Sequence, residues 1–273
     1  MARRTVAPLV PLNEPMLFPL PRKAVWVTPS NLGTVDAAGT CMCDDSCEYA
    51  YKDGSTDPLI PHSEWFCTHL AEAVGISGPI CQKIEMLDGT LVFGSRWEGG
   101  VLPDTGAPST PAWVTMVKAG RIPLDDIRIA LTRIYAFDLF IHNTDRHPWN
   151  FLVRSQRSGH AVLAFDYSRA WVCHGLPLPP LPFDTSDPGE RTIGMQRYQT
   201  QEMGPYIDKV EAGHFLEKMK KVPKSFIKRT IEDHPAEWLT DGMKRRILRW
   251  WLSADMLQRI DGIAKGIGDG SYL

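Results

Sequence analysis

Between Ile141 and Asn150 the chain reads I-H-N-T-D-R-H-P-W-N. A carboxylate (Asp145) and a carboxamide (Asn150) sit five positions apart in this stretch. A short apolar run follows, W-N-F-L-V, then a polar turn, R-S-Q-R-S-G-H, then a second apolar run, A-V-L-A-F, ending on Asp166. Two short apolar runs around a polar turn predict a β-hairpin. Asn150 then stands at the base of one strand and Asp166 at the end of the other, with Asp145 close by. Phosphoryl transfer needs such a set. One carboxylate orients an attacking hydroxyl, while an amide oxygen and a second carboxylate hold magnesium on the phosphates. The bland alternative, that Asp145 and Asn150 merely cap turns, explains each residue singly but not their joint spacing with Asp166.

A loop of this kind needs a rigid base. The spacing of apolar residues predicts a helix from Leu124 to about His142, with Asp125 and Asp126 favouring its start. Ile127, Leu131, Ile134 and Ile141 form one stripe, widened by Phe137. Further apolar residues imply burial nearly all round.

A cation for the phosphates is the next requirement. E-Y-A-Y-K at 48–52 alternates and ends in D-G, so it reads as a strand closed by Lys52. A lysine there is by default a solvated edge residue. The functional alternative, contact with the α- and β-phosphates of a nucleotide, requires an acidic partner. Glu64 is the candidate, in H-S-E-W-F-C-T-H-L-A-E-A-V-G, which reads as a helix. Ser63 is its expected N-cap, Glu64 lies in its first turn, Phe66, Leu70 and Val74 form its stripe, and Gly75 ends it. A carboxylate in a first turn also suits the helix dipole with no catalytic role at all.

The stretch P-I-C-Q-K-I-E-M-L, D-G, T-L-V-F-G-S-R-W reads as a hairpin, with Asp88-Gly89 suiting a type I′ turn. A Gly/Pro-rich connection follows Trp97 and places a boundary near residue 100. The division is then an extended proline-rich arm at 1–24, a strand-rich part at 25–100 and a mostly helical part at 101–273. A nucleotide base would bind in the cleft, its edge read by the connector from Arg96 through Trp97 to Glu98. A-V-W-V at 24–27 is a further strand. The loop after it, with Gly33 and Gly39, either covers phosphates or simply joins two strands. The Pro-dense 174–190 stretch cannot be helix or central strand. Helices are expected at 209–221, 223–234 and 240–262, the last burying Met243, Ile247, Trp250 or Trp251, and Leu257, with Arg245, Arg246 and Arg249 on a solvated face.

The 273 residues carry a formal net charge of −2, with 43% apolar and 23% charged residues. These values describe an ordinary globular chain with no field pulling it to nucleic acid or anionic lipid. No apolar run reaches membrane-spanning length, and the basic N-terminus lacks a signal-peptide apolar core, so a cytoplasmic protein is expected. Cys41, Cys43 and Cys47 could offer soft metal ligands, but their spacing is not a paired CxxC; reduced cysteines in or near a strand are the simpler reading.

Asn143-Thr144-Asp145-Arg146-His147-Pro148-Trp149-Asn150, with Phe165-Asp166 beyond a short hairpin, resembles the HipA-like kinase family and, more distantly, the D-R-H-x-x-N loop of phosphatidylinositol kinases. Lys52 after a strand, Glu64 opening a helix, F-G-S-R-W at 93–97 and H-P-A-E-W-L before an Arg-rich helix agree in order, so the resemblance spans 45–262. It implies an α+β, bilobal protein-kinase-like fold with a small strand-rich N-lobe and a larger, mostly helical C-lobe. The implied activity is ATP- and magnesium-dependent phosphorylation of a serine or threonine hydroxyl on a protein substrate. It also implies Asp145 as catalytic base, Asn150 and Asp166 as magnesium ligands, Lys52 as the phosphate-binding lysine held by Glu64, and Arg146 and His147 as loop supports. An antitoxin-like partner is a further implication, since some members are toxins restrained by a DNA-binding protein. Two features depart from kinases of eukaryotic type. No glycine-rich phosphate loop is present, and Asp166 is followed by Tyr167-Ser168 rather than Phe-Gly. Other chemistry on the same fold (lipid or small-molecule kinase, nucleotidyl transferase) and a non-catalytic ATP-binding module are the alternatives.

Overall fold

In the computed structural model the described residues are 20–29, 36–99, 110–157, 159–171, 175–183 and 191–273. Most of the arm at 1–24, Gly33 of the first loop, the connection at 100–109 and much of 174–190 lie outside them.

Five strands close into a small barrel in the order β1 (Arg22–Pro29), β2 (Gly39–Cys43), β3 (Glu48–Lys52), β5 (Leu91–Arg96), β4 (Cys81–Glu85). All pairs are antiparallel except β1 with β4, which close it in parallel through Arg22 opposite Ile84 and Lys23 opposite Glu85. Alternation along each strand sends Ala24, Cys41, Cys43, Tyr49, Tyr51, Ile84 and Val92 inward as one cluster. Cys41 and Cys43 are therefore buried strand residues, as the simpler reading has it. Gly94 on β5 is required by space, since a Cβ there would lie 2.1 Å from Cδ1 of Ile84. The β4–β5 hairpin forms as expected, but its turn is not type I′. Gly89 has φ +85° and Asp88 does not have positive φ, and Met86 N–H donates to Thr90 C=O, so a longer five-residue loop replaces the two-residue turn.

Helix α1 (Ile60–Val74) starts earlier than the sequence suggests, with Pro61 in its first turn and Leu59 at the N-cap. Ser63 is thus not a cap and Glu64 not a first-turn residue; both are buried within the helix. The Ser63 hydroxyl lies 2.7 Å from the Tyr167 carbonyl and 3.1 Å from that of Ala170. Gly75 ends the helix with φ +85°, as expected.

The helical part is built on α3 (Leu124–Ile141), where residues from Leu131 onward are buried nearly all round and His142 closes the helix at φ +54°. Around it lie α2 (Ala112–Lys118), α4 (Arg191–Met203), α5 (Lys209–Met219), α6 (Lys224–Glu232), α7 (Asp241–Trp251) and α8 (Ala254–Asp269). The single helix expected at 240–262 is two, broken at Leu252–Ser253. The break turns Leu257 outward to 43% exposure, while Ile247, Trp250 and Trp251 are buried. Helices α2 and α4 lie outside the stretches where the sequence predicts helix. Phe66 of α1, Phe140 of α3, Trp171, and Trp250 and Trp251 of α7 form one aromatic cluster, with Trp171 and Trp250 centroids 4.5 Å apart. This anchors the chain just after Asp166 to the core.

His62 of α1 meets His234 edge to face at 4.4 Å, and neither ring nitrogen of His62 has a hydrogen-bond partner. Burial drives both toward the neutral form, His62 well below its ordinary value and His234 down to about 3. Below about pH 6.5 the unfolded chain therefore binds protons that the native state refuses. Their contribution is complete above that pH and falls as pH drops below it, by roughly 1.4 kcal/mol per pH unit for each histidine, the fall for His234 ending near pH 3. Urea unfolding from pH 7.5 to 5 should show the loss, and His62→Leu should remove about half of the part due to the pair. An unchanged slope in that variant would contradict this account.

Candidate active site

The 143–150 loop is built outward from Asp138, a fully buried carboxylate on α3. Asp138 accepts from Nε of Arg146 at 2.8 Å, from its Nη2 at 3.1 Å and from Nδ2 of Asn143 at 3.0 Å. Burial pushes the Asp138 carboxyl up, and the Arg146 guanidinium opposes this. Arg146 also donates through Nη1 to the carbonyls of Asn150 (3.1 Å) and Phe165, so one side chain gathers α3, the loop and the chain entering Asp166. Its guanidinium lies over the Tyr167 ring at 4.9 Å. Arg146 thus supports the loop. His147 is pushed down by burial, and its buried Nδ1 has no hydrogen-bond partner.

The hairpin forms as the sequence indicates, β6 (Phe151–Gln156) against β7 (Gly159–Ala164). Asn150 precedes β6 in a 3-10 turn, Pro148–Asn150, and its carbonyl accepts from Phe165 N–H at 3.3 Å. Nδ2 of Asn150 donates to the Asp145 carbonyl at 3.0 Å, which leaves Oδ1 as the end of the amide available to a cation. Asp145 N–H donates to Oδ1 of Asn143 at 3.3 Å, while its own carboxylate reaches solvent.

Lys52 answers the question of its partner. Its ammonium lies 2.5 Å from Oε1 of Glu64, 2.8 Å from Oδ1 of Asp166 and 2.7 Å from Oγ of Ser168, and the Ser168 hydroxyl reaches Glu64 at 2.9 Å. One cation serves two carboxylates in a largely buried setting. Burial would lower the Lys52 pKa, but Glu64 and Asp166 outweigh it and hold the amine protonated. Burial pushes Glu64 up, only partly offset by Lys52. Asp166 reaches solvent more than Glu64 does, and against its own burial Lys52 holds it well below the usual carboxylate range. The backbone of Asp166 has φ +64°, a left-handed conformation that aspartate adopts more readily than most residues.

The connector residues stand apart from this set. Arg96 ends β5, Trp97 is 56% exposed, and Glu98 has Arg96 and Arg154 both at 3.5 Å. Five further participants lie outside the residues the sequence singles out: Asp138, Ser168, Trp113, whose Nε1 donates to the Pro148 carbonyl at 2.8 Å, and, on α4, Thr192, whose hydroxyl donates to the Asn143 carbonyl, and Arg191, whose Nη1 is 3.3 Å from Oδ1 of Asp145. A carboxylate in the middle of an otherwise apolar helical face was the available signal for Asp138. The residues of α4 carry no such mark.

The family model for the HipA-like kinase matches residues 33–260. The chain belongs to the HipA-like kinase family. Among curated proteins none matches it. Among solved structures it is similar to the proinflammatory kinase CtkA of Helicobacter pylori, at 10% identity and TM-score 0.54, covering 89% of this chain and 94% of that one. That likeness shows a shared mixed α+β fold. A second similar structure is HipA of Shewanella oneidensis MR-1, from a toxin–antitoxin complex with HipB and operator DNA. It matches at 11% identity and TM-score 0.48, over 81% of this chain and 60% of that one. Among the described residues no helix is long and apolar enough to cross a membrane.

Proposed function

We propose that this HipA-like kinase transfers the γ-phosphoryl group of ATP, with magnesium, to a serine or threonine hydroxyl of a protein in the cytosol. The observation that carries the reading is the Lys52 ammonium held jointly by Glu64 and Asp166, from distant parts of the chain. A structural ion pair needs one carboxylate; a lysine shared by two, at the end of a strand and beside an oriented asparagine, suits phosphate binding next to a metal. The strand-rich part to about residue 100 would serve as the nucleotide-binding lobe and the remainder as the lobe carrying the loop. In this reading Arg96, Trp97 and Glu98 border the nucleotide base.

The donors fit magnesium by their chemistry. Asn150 offers an amide oxygen and Asp166 an ionised carboxylate, both hard oxygen ligands, and two protein ligands suffice when phosphates supply more. The ion would neutralise charge on the phosphates. Asp145 orients the acceptor hydroxyl and takes its proton. Lys52 holds phosphate oxygens, Glu64 and Ser168 keep Lys52 in place, and Arg146 fixes the loop that presents Asp145 and Asn150.

MgATP should raise the melting temperature by mass action. At a hundredfold excess over Kd the gain is about 2.7 kcal/mol, or roughly 5–10 °C for a chain of this size. Lys52→Ala should abolish most of the shift. A wild-type melting curve unmoved by millimolar MgATP would be incompatible with this function.

A further inference from the structure

The 143–150 loop raises a problem of charge. In transfer, the acceptor oxygen bonds to Pγ while the bond from Pγ to the bridging oxygen of ADP breaks. ADP departs with the electron pair, and the hydroxyl proton goes to Asp145 and then to solvent. The three peripheral oxygens of the moving phosphoryl group carry negative charge throughout, beside the negative Asp145. A cation near Asp145 would relieve that repulsion.

The loop itself cannot supply one. Arg146 is buried, with its guanidinium committed to Asp138 and to the carbonyls of Asn150 and Phe165. His147 is kept neutral by burial. Lys52, held by Glu64, Asp166 and Ser168, is already assigned to the nucleotide phosphates beside the metal ligands rather than to Asp145, and Arg169 pairs with Asp36 at 2.8 Å.

Among the described residues the cation within ion-pair distance of Asp145 is Arg191, the first residue of α4, with Nη1 3.3 Å from Oδ1. Its side chain is 68% exposed and that of Asp145 39%. So exposed a pair contributes little to folding and is readily exchanged for another anion. Its base is nevertheless fixed, because the next residue, Thr192, is buried and its hydroxyl donates to the Asn143 carbonyl of the same loop. Tyr206 and Gln199 pin the same helix further along through a 2.6 Å hydrogen bond. The result is an exposed guanidinium next to a buried anchor, 3.3 Å from the carboxylate that would hold the acceptor.

We propose that Arg191 is a catalytic residue that binds the transferring phosphoryl group, releasing Asp145 to the acceptor hydroxyl as it does so. The proposal rests on the kinase function argued above and adds to it a residue outside the loop and the metal-binding pair. A planar guanidinium can hold two phosphoryl oxygens at once, whereas an ammonium acts as a point charge. Arg191→Lys should therefore keep only part of the activity.

The test uses the full chain with γ-labelled MgATP and two acceptors that require no known substrate: the protein's own hydroxyls, read as autophosphorylation, and water, read as released inorganic phosphate. Arg191→Ala should reduce both turnover rates by about 10²-fold or more, the effect of removing a preorganised transition-state donor. MgATP affinity by calorimetry should fall far less than turnover, because the contact strengthens in the transition state, and the melting temperature without nucleotide should stay near wild type. Arg191→Lys should fall between. If Arg191→Ala turns over at the wild-type rate, or faster as expected of a released inhibitory contact, the proposal is overturned and the kinase function stands. If the Ala and Lys variants lose MgATP affinity as steeply as activity, or lose melting temperature, Arg191 supports the nucleotide site or the fold and the proposal also fails. A wild-type protein that neither binds MgATP nor transfers label removes the kinase function and the role of Arg191 with it.

Discussion

Asp145→Asn should bind MgATP about as tightly as wild type and transfer phosphate at least ~100-fold more slowly, as befits a lost general base. The structure makes this variant a clean one. The Asp145 carboxylate is 39% exposed, and the loop is held by the Asp145 N–H and carbonyl rather than by its carboxylate. Asparagine preserves both backbone bonds and nearly the same shape. Asp166→Asn should behave differently. It removes the ionised ligand expected to meet magnesium and one of the two carboxylates on Lys52, so metal-dependent nucleotide binding should fall along with transfer. Backbone strain does not confuse that comparison, because asparagine tolerates the φ of +64° at residue 166 as well as aspartate does. Calorimetry beside a labelled-phosphate assay should give two inactive variants, one binding and one not. Near-normal transfer by Asp145→Asn would remove Asp145 from the role of base.

What the sequence made legible was whatever a local pattern encodes. The β6–β7 hairpin follows from two apolar runs around a polar turn, α3 from its stripe and acidic start, and the end of α1 from Gly75. The order of Lys52 and Glu64 gave a pairing that the fold realises at 2.5 Å. Errors arose where tertiary contacts override the local signal. Ser63 has the type and position of an N-cap, yet its hydroxyl serves carbonyls that follow Asp166 in the fold, and the helix begins a turn earlier on a proline. Helix α4 buries Thr192, Gln196 and Gln199 where an apolar stripe would be sought, so periodicity could not reveal it or bring Arg191 to Asp145. The continuous apolar spacing over 240–262 concealed a break at 252–253, because helical registers on either side of a short bend can look like one. Asp88-Gly89 fits a two-residue turn by composition, but one positive φ rather than two is what a longer loop demands.

Arg146→Ala should be the most destabilising change at the site, by about 3–5 kcal/mol, because it strands the Asp138 carboxylate without its cation. Asp138 is fully buried, and Arg146 supplies two of the three donors it has from the 143–150 loop. The carbonyls of Asn150 and Phe165 would lose their Nη1 donor as well. Arg146→Lys should recover little, since an ammonium cannot span two carboxylate oxygens and two carbonyls as a planar fork does. The double variant Asp138→Leu with Arg146→Met gives the informative comparison. It removes both charges together, so much of the stability should return, as it does when buried ion pairs are replaced by apolar residues of similar volume. Activity should not return with it, because Asp145 and Asn150 then lose the scaffold that orients them. Urea unfolding of the three variants beside labelled-phosphate transfer separates the two effects. If the double variant regains both stability and wild-type transfer, the Asp138–Arg146 pair is structural filling, and the orientation of the 143–150 loop must come from Trp113, whose Nε1 donates to the Pro148 carbonyl at 2.8 Å, and from Thr192.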